Sequence, residues 1–335
     1  MNIPENVVAV DGGRPYAFVV NEDGGNLFVN WWNGSTWNWS DQGTPSSPEV
    51  ISDMAGATLI DGGRPYQFVK TADGHLWLNW WSGSAWGWAD QGTPDNAPFY
   101  SGVGAVTLDG DRPYAFVWTT DGHLAVNWWS GSAWAWADQG TPGPNSISAT
   151  VGVTVVDGGR PYAFVIASDG HLWVNWWSGS AWRWSDQGKP GASMLSSGIG
   201  AVTVDESRPY AFVRTEDGHL WVNWWSGSRW DWADQGTPGG NKVGISAGVI
   251  VVDDGRPYAF VIASDEHLWV NWWSGSAWGW ADQGAPPSAA TIEDEVGAVA
   301  VDGSRPYVFV RTRDEHLWVN WWSGSAWGWA DQGKP

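Results

Sequence analysis

The sequence predicts an all-β fold: a seven-bladed β-propeller with four antiparallel strands per blade and one sequence repeat per blade. Three observations predict it. The segment HLWVNWWSGSAWGWADQG, from His316 to Gly333, recurs at His75–Gly92 with one change, Leu78 for Val319. Paired tryptophans begin at Trp31, Trp80, Trp128, Trp176, Trp224, Trp272 and Trp321, a spacing of 48 or 49 residues. A second marker, Arg-Pro-Tyr, begins at Arg14, Arg64, Arg112, Arg160, Arg208, Arg256 and Arg305, so seven units fill the 335 residues. Four short strands per unit of this length is the signature of a propeller blade. An open solenoid would need capping repeats; here the first and last units look like the others, so a closed ring is expected. The whole chain reads as one domain, with blades near 1–45, 46–94, 95–142, 143–190, 191–238, 239–286 and 287–335.

The second unit shows each element in order. Strand A is expected over Ala55–Asp61 and ends at the turn Asp61-Gly62-Gly63. Strand B, Arg64–Thr71, is β-branched and aromatic, with no helical period. Asp73-Gly74 is a strong two-residue hairpin signal. Strand C follows over His75–Trp81, Gly83-Ser84 turns the chain, and strand D covers Ala85–Gln91. Gly-Thr-Pro then opens a variable polar linker. The chain starts with strand A and ends with strand D, so blades 1 and 7 should meet without strand exchange.

If Asp73-Gly74 is the whole B–C loop, Lys70 lies opposite Trp77, Phe68 opposite Asn79 and Tyr66 opposite Trp81. If Gly83-Ser84 is the C–D loop, Trp81 lies opposite Trp86, Asn79 opposite Trp88 and Trp77 opposite Asp90. Side chains alternate between faces. One face should then carry Tyr66, Phe68, Trp77, Asn79, Trp81, Trp86 and Trp88. The other should carry Leu76, Leu78 and Trp80 beside Ala85, Gly87 and Ala89. Stacking bulky on small explains most of the 34 tryptophans as inter-blade core. Asn79 is expected to bond backbone or an indole N–H, because an unpaired buried amide is costly.

Composition narrows the function. Asp and Glu total 36 against 16 Lys and Arg, a net charge of −20, which disfavours a nucleic-acid partner. Cys is absent, so disulfides and thiolate metal sites are excluded. No metal or cofactor motif is present, and Asp-Gly at the turns is hairpin chemistry rather than a calcium loop. No apolar run reaches spanning length, so membrane insertion is not expected. The start, MNIPENVVAV, shows no classical signal peptide. Localisation stays open, release or extracellular action included.

Two ends of each blade offer candidate sites. At the B–C end, an indole plate beside an imidazole and a carboxylate suits a sugar ring. The residues are His75, Trp77 and Asp90, with His171, Trp173, Asp186, His219, Trp221, Asp234, His267, Trp269, Asp282, His316, Trp318 and Asp331 in later units. Unit 1 has Asn26 and Phe28 there, and unit 3 has Ala125, with Trp118 expected across from it. The alternative is a His and an Asp that satisfy turn amides. At the other end, Arg64, Tyr66, Trp81 and Trp86 form the second choice, the alternative being an Arg stacked on rings.

These residues, DGHLWVNWWSGSAWGWADQGTP after a strand with Arg-Pro-Tyr, resemble the seven-bladed propeller lectins typified by the Photorhabdus luminescens lectin. The resemblance covers all seven units. It implies a multivalent sugar-binding protein with pockets between neighbouring blades, for L-fucose, galactose-type or O-methylated sugars on cell-surface glycans. The lack of Cys excludes disulfide-linked assembly, while a non-covalent homo-oligomer stays open. Six-bladed fungal fucose lectins and tectonin-type lectins are more distant alternatives.

Two rival functions remain. A glycosidase needs one asymmetric pair of carboxylates, but here every polar candidate repeats around the ring, so no catalytic residue is assigned. Ser168-Asp169-Gly170 only superficially resembles a sialidase Asp-box. A protein-interaction scaffold would diversify one face to match one partner, whereas close repetition suits clustered ligands and avidity. The sequons at Asn33 and Asn38 are of a kind common by chance.

Overall fold

Each repeat folds into one four-stranded antiparallel sheet whose strands pair in sequence order. A computed structural model describes residues 5–21, 25–45, 50–94, 97–253, 255–288 and 290–335; Met1–Pro4, part of the leader reading, lies outside them. Blade 1 comprises β1 (Val7–Val10), β2 (Arg14–Val20), β3 (Leu27–Trp32) and β4 (Trp37–Gly43). Blade 2 comprises β5 (Ile51–Ile60), β6 (Arg64–Thr71), β7 (Leu76–Trp81) and β8 (Trp86–Asp90). Blades 3 to 7 repeat this plan from Phe99, Ile147, Leu195, Val243 and Ile292. Among the described residues the one helical element is a 3-10 turn at Pro238–Gly240.

The inner strand is longer than expected, because β5 begins at Ile51 rather than Ala55. Gly56 does not end it. It sits in a bulge where the pairing shifts between Met54 and Gly56, with φ 108°. A Cβ there would lie 2.8 Å from the Ala105 nitrogen of blade 3, so the close approach of inner strands at the axis selects glycine.

The C–D register is as expected: Trp81 pairs with Trp86, Asn79 with Trp88 and Trp77 with Asp90. The B–C register is not. Lys70 pairs with Leu76, Val69 with Trp77, Phe68 with Leu78, Gln67 with Asn79 and Tyr66 with Trp80. The loop is three residues, not two. The Thr71 amide donates to His75 O at 3.1 Å, and the Gly74 amide to Thr71 O at 2.9 Å, with Gly74 at φ 86°. This is the three-residue hairpin with a left-handed bulge residue. Likewise Trp118 pairs with Leu124, not Ala125, and meets Tyr100 at 4.5 Å with the rings tilted by 49°.

A one-residue slip moves a strand's side chains to the opposite face. Tyr66 and Phe68 therefore join Leu76, Leu78 and Trp80 on the face toward the next blade. Val69, Trp77, Asn79, Trp81, Trp86 and Trp88 face the previous one. Both faces are thus aromatic, contrary to the large-on-small expectation. Phe68, Leu76 and Leu78 pack on Ala115, Val117 and Ala125 of blade 3, flanked by Trp134 and Trp136. Each strand-B phenylalanine meets the first outer-strand tryptophan of the next blade edge-on, as in Phe68–Trp134 at 5.9 Å and 78°. Asn79 is fully buried and donates from Nδ2 to Gly87 O at 3.4 Å, while its Oδ1 has no partner.

Closure uses the same contacts. Asp61 N donates to Gly110 O of the next blade at 2.8 Å, and Asp302 N of blade 7 to Gly12 O of blade 1 at 2.6 Å. Trp88 Nε1 donates to Gln42 O at 2.9 Å, and Trp39 Nε1 to Gln332 O at 2.7 Å. Phe309 meets Trp37 at 5.8 Å. No strand is exchanged.

Glu5 braces the ring from inside the axial channel. Its carboxylate accepts from Val249 N at 2.7 Å and Ala298 N at 3.3 Å, and its carbonyl from Ala57 N at 2.9 Å. Burial pushes this carboxyl from 4.5 up to about 7, outweighing the two amide donors. The folded state then binds more protons than the unfolded chain between these values. The stabilisation is present below pH 4.5 and is lost as pH rises through about 7, a change on the order of 3 kcal/mol. Thermal unfolding at pH 5 and pH 8 should show a smaller pH-dependent loss in Glu5→Gln than in the parent. Equal losses would place the titration elsewhere.

Candidate functional site

At the end of the ring carrying the A–B and C–D turns, neighbouring blades leave a cavity. Strand B begins there with Arg64, whose guanidinium pairs with Asp61 on the preceding turn, and all seven units repeat this pair. It is a surface ion pair and contributes little stability, but it fixes the direction of the arginine. Two residues on, Tyr66 lies against Trp80 at 6.1 Å; Tyr162 and Trp176 stack at 5.7 Å and 27°. Half-burial pushes the tyrosine phenols above their ordinary value, so they remain neutral donors at physiological pH.

The next blade supplies the facing wall. Trp81 and Trp86 sit as a tilted pair at 5.5 Å, held by the C–D turn, where Ser82 Oγ accepts from Ala85 N at 2.9 Å. Between blades 1 and 2 the cavity measures about 490 Å³, lined by Arg14, Tyr16, Trp31, Asn38 and Ser40 on one side and Gly63, Pro65, Trp81 and Trp86 on the other. Between blades 3 and 4 it is about 300 Å³, lined by Arg112, Tyr114 and Trp128 against Gly159, Pro161, Trp177 and Trp182. Such volumes suit a small ligand.

The expected group Arg64, Tyr66, Trp81 and Trp86 is therefore divided. Arg64 and Tyr66 lie on the side toward blade 3, whereas Trp81 and Trp86 wall the cavity between blades 1 and 2. The register slip is the cause, since Tyr66 pairs with Trp80 rather than Trp81. Sequence reasoning left out Trp80 and Pro65; their signal was the invariance of the paired tryptophans and of Arg-Pro-Tyr across the units.

At the opposite end the structure does bring His75, Trp77 and Asp90 together. His75 Nδ1 lies 3.0 Å from Asp90, and the pairs His171–Asp186, His219–Asp234, His267–Asp282 and His316–Asp331 repeat it. His123–Asp138 does the same in blade 3, and Asn26 reaches Asp41 in blade 1 at 3.2 Å. Asp90 also accepts from Gly92 N at 2.7 Å, so the pair straps the end of the outer strand.

The indole plates at this end are covered. Trp77 is 8% exposed and Trp318 7%, both in inter-blade core. Trp173 donates to Asp169 at 3.3 Å and Trp269 to Asp265 at 3.2 Å. The preceding linker lies against both rings: a Cβ on Gly143 would sit 3.0 Å from Trp173, and one on Gly239 2.7 Å from Trp269. Trp221 is part-buried against blade 4, its Nε1 without a partner.

Among the described residues, no group of three or more His, Asp or Glu is arranged to hold a metal, and no helix is long and apolar enough to cross a membrane.

Several solved structures are similar in fold. The BP39L lectin from Burkholderia pseudomallei aligns over 100% of both chains, with TM-score 0.71 and 19% identity. A mutant Aleuria aurantia lectin in complex with alpha-methyl-L-fucoside aligns over 83% of this chain and 95% of its own, with TM-score 0.57 and 17% identity. The same lectin, described with a six-bladed propeller fold, aligns at TM-score 0.52 and 17% identity over 84% and 96%. No protein-family model and no curated protein matches the chain.

Proposed function

We propose that the chain is a multivalent carbohydrate-binding protein, with its sugar sites in the inter-blade cavities at the arginine end. One observation carries this reading: the same arginine, tyrosine and three tryptophans converge on a ligand-sized space at two junctions, between blades 1 and 2 and between blades 3 and 4, and the same residue types recur in every unit. Indole faces take the apolar face of a pyranose. The arginine, half-neutralised by its aspartate, keeps N–H donors for sugar hydroxyls, and the tyrosine adds one more.

The fold neighbours support the reading, since the Burkholderia protein is a lectin and the Aleuria protein was solved with alpha-methyl-L-fucoside. L-Fucose, galactose-type and O-methylated sugars on cell-surface glycans are the ligands proposed, as the resemblance to the Photorhabdus-type lectins implies. The reading is of a binding protein rather than an enzyme: the fold neighbours are lectins, and the acid beside each arginine, Asp61 or its equivalent, is tied to it as an ion pair.

The His–Asp end is the second reading, favoured by the partly exposed His75–Asp90 pair recurring in six blades. Calorimetry with alpha-methyl-L-fucoside, galactose and an O-methylated hexose tests both. We expect several weak sites per chain, roughly micromolar to millimolar, because one sugar ring buries little surface. A single tight site per chain would sink the proposal. Loss of binding in a Trp173, Trp221 and Trp269 triple alanine variant that still folds would move the sugar to the His–Asp end.

A further inference from the structure

Arginine, tyrosine and tryptophan are constant in these walls, and among the lining positions that vary, one changes most in size and charge. The residue between the two outer-strand tryptophans is Asn38 in blade 1, Ala135 in blade 3, Arg183 in blade 4 and Asp231 in blade 5, and glycine in blades 2, 6 and 7. This position pairs across the sheet with the first tryptophan of the paired motif, as Gly87 does with Trp80, Arg183 with Trp176 and Asp231 with Trp224. Paired residues share a face, and this face looks into the cavity. Asn38 lines the space between blades 1 and 2, and a Cβ on Gly87 would lie 3.3 Å from Trp80 Nε1.

Charge differs among the cavities accordingly. Asp231 is neutralised by Arg229, whose Nε lies 2.9 Å from it. At the equivalent place between blades 4 and 5, Arg160 is paired with Asp157, whereas Arg183 is exposed and has no ion-pair or hydrogen-bond partner among the described residues. An unpaired guanidinium beside an indole plate presents a planar fork of donors that matches a carboxylate or sulfate better than a hydroxyl.

Resting on the carbohydrate reading above, we infer that the inter-blade sites are not equivalent: the one between blades 4 and 5 takes an acidic sugar, and Arg183 is the residue that selects it. The glycine cavities take neutral rings. The chain as a whole carries −20, which opposes acidic ligands elsewhere on its surface and leaves this cavity as the place where they bind.

Calorimetry at low salt with methyl glucuronide, galactose 6-sulfate and their neutral parents tests this on the intact protein. The expected result is about one acidic-sugar site per chain, weakened by salt. Arg183→Ala should weaken acidic-sugar binding at least tenfold and leave neutral-sugar binding at the other cavities unchanged. Glucuronide binding without sulfate binding would fix the anion as a carboxylate, and the reverse as a sulfate; either supports the inference. Gly279 does not have a left-handed φ, and a Cβ there would rest 3.6 Å from Trp272 Nε1, an ordinary contact. Gly279→Arg should therefore add a second acidic-sugar site. Neutral binding at several sites with no acidic-sugar site, or an acidic site indifferent to Arg183→Ala, overturns the inference and leaves the carbohydrate reading intact. If no sugar of either kind binds, it is the carbohydrate reading that falls.

Discussion

Phe309→Ala should destabilise the ring by about 3–5 kcal/mol, the usual cost of truncating a buried phenylalanine. Phe309 has no exposed surface and meets Trp37 across the junction of blades 7 and 1, at 5.8 Å and 74°. Phe164 is buried to the same degree and meets Trp230 across an internal junction at 5.9 Å and 75°. Because the environments match, the two alanine variants should lose the same stability in urea unfolding. Equality would mean that the ring is closed by ordinary side-chain packing. A large cost at Phe164 with less than about 1 kcal/mol at Phe309 would mean that the junction opens in solution, and the closed ring would have to be abandoned.

Changing Trp81, Trp177 and Trp273 together to Ala should remove about three sugar sites per chain. Trp81 and Trp177 wall the cavities between blades 1 and 2 and between blades 3 and 4, Trp273 holds the same place in blade 6, and each rests on a neighbouring tryptophan at about 5.5 Å. They are half-buried at the rim, so the fold should survive their loss. Agglutination of glycan-bearing cells should fall by far more than the site count, since avidity exceeds single-site affinity by roughly 10²–10⁴ and depends on simultaneous engagement. Calorimetry gives the count and agglutination titre the avidity. A variant that folds, yet keeps the parent's stoichiometry, would show that the cavities at the arginine end hold no sugar.

Much of this architecture is local and therefore readable in the chain. Turn residues recur at fixed offsets, so Gly83-Ser84 sets the C–D register and places Trp81 opposite Trp86. The repeat count sets the number of blades, and the first tryptophan of each pair is in the inter-blade contacts as expected, while the second stands at the rim. Where the chain misled, a longer-range contact intervened. Asp73-Gly74 looks like a complete two-residue loop. Yet Thr71 stays paired to His75, and its hydroxyl donates to Asp73 at 2.6 Å, which takes one more residue into the turn. In blades 6 and 7 Glu266 and Glu315 hold the same left-handed position at φ 65° and 66°, so the loop geometry does not depend on glycine.

That single residue decided which side chains share a cavity. Sequence alone determined that an arginine, a tyrosine and tryptophans recur together in every unit, because identity along the chain is sufficient for that. Only the packing of one blade on the next decided that Arg64 and Tyr66 face forward while Trp81 and Trp86 face back, since a face is assigned by pairing register and not by composition. The same holds at the other end, where the sequence offered Trp77 as an indole plate for a sugar ring. The neighbouring blade covers it, and at Trp173 and Trp269 the preceding linker lies on the ring as well; contacts between segments far apart in sequence leave no mark in either segment.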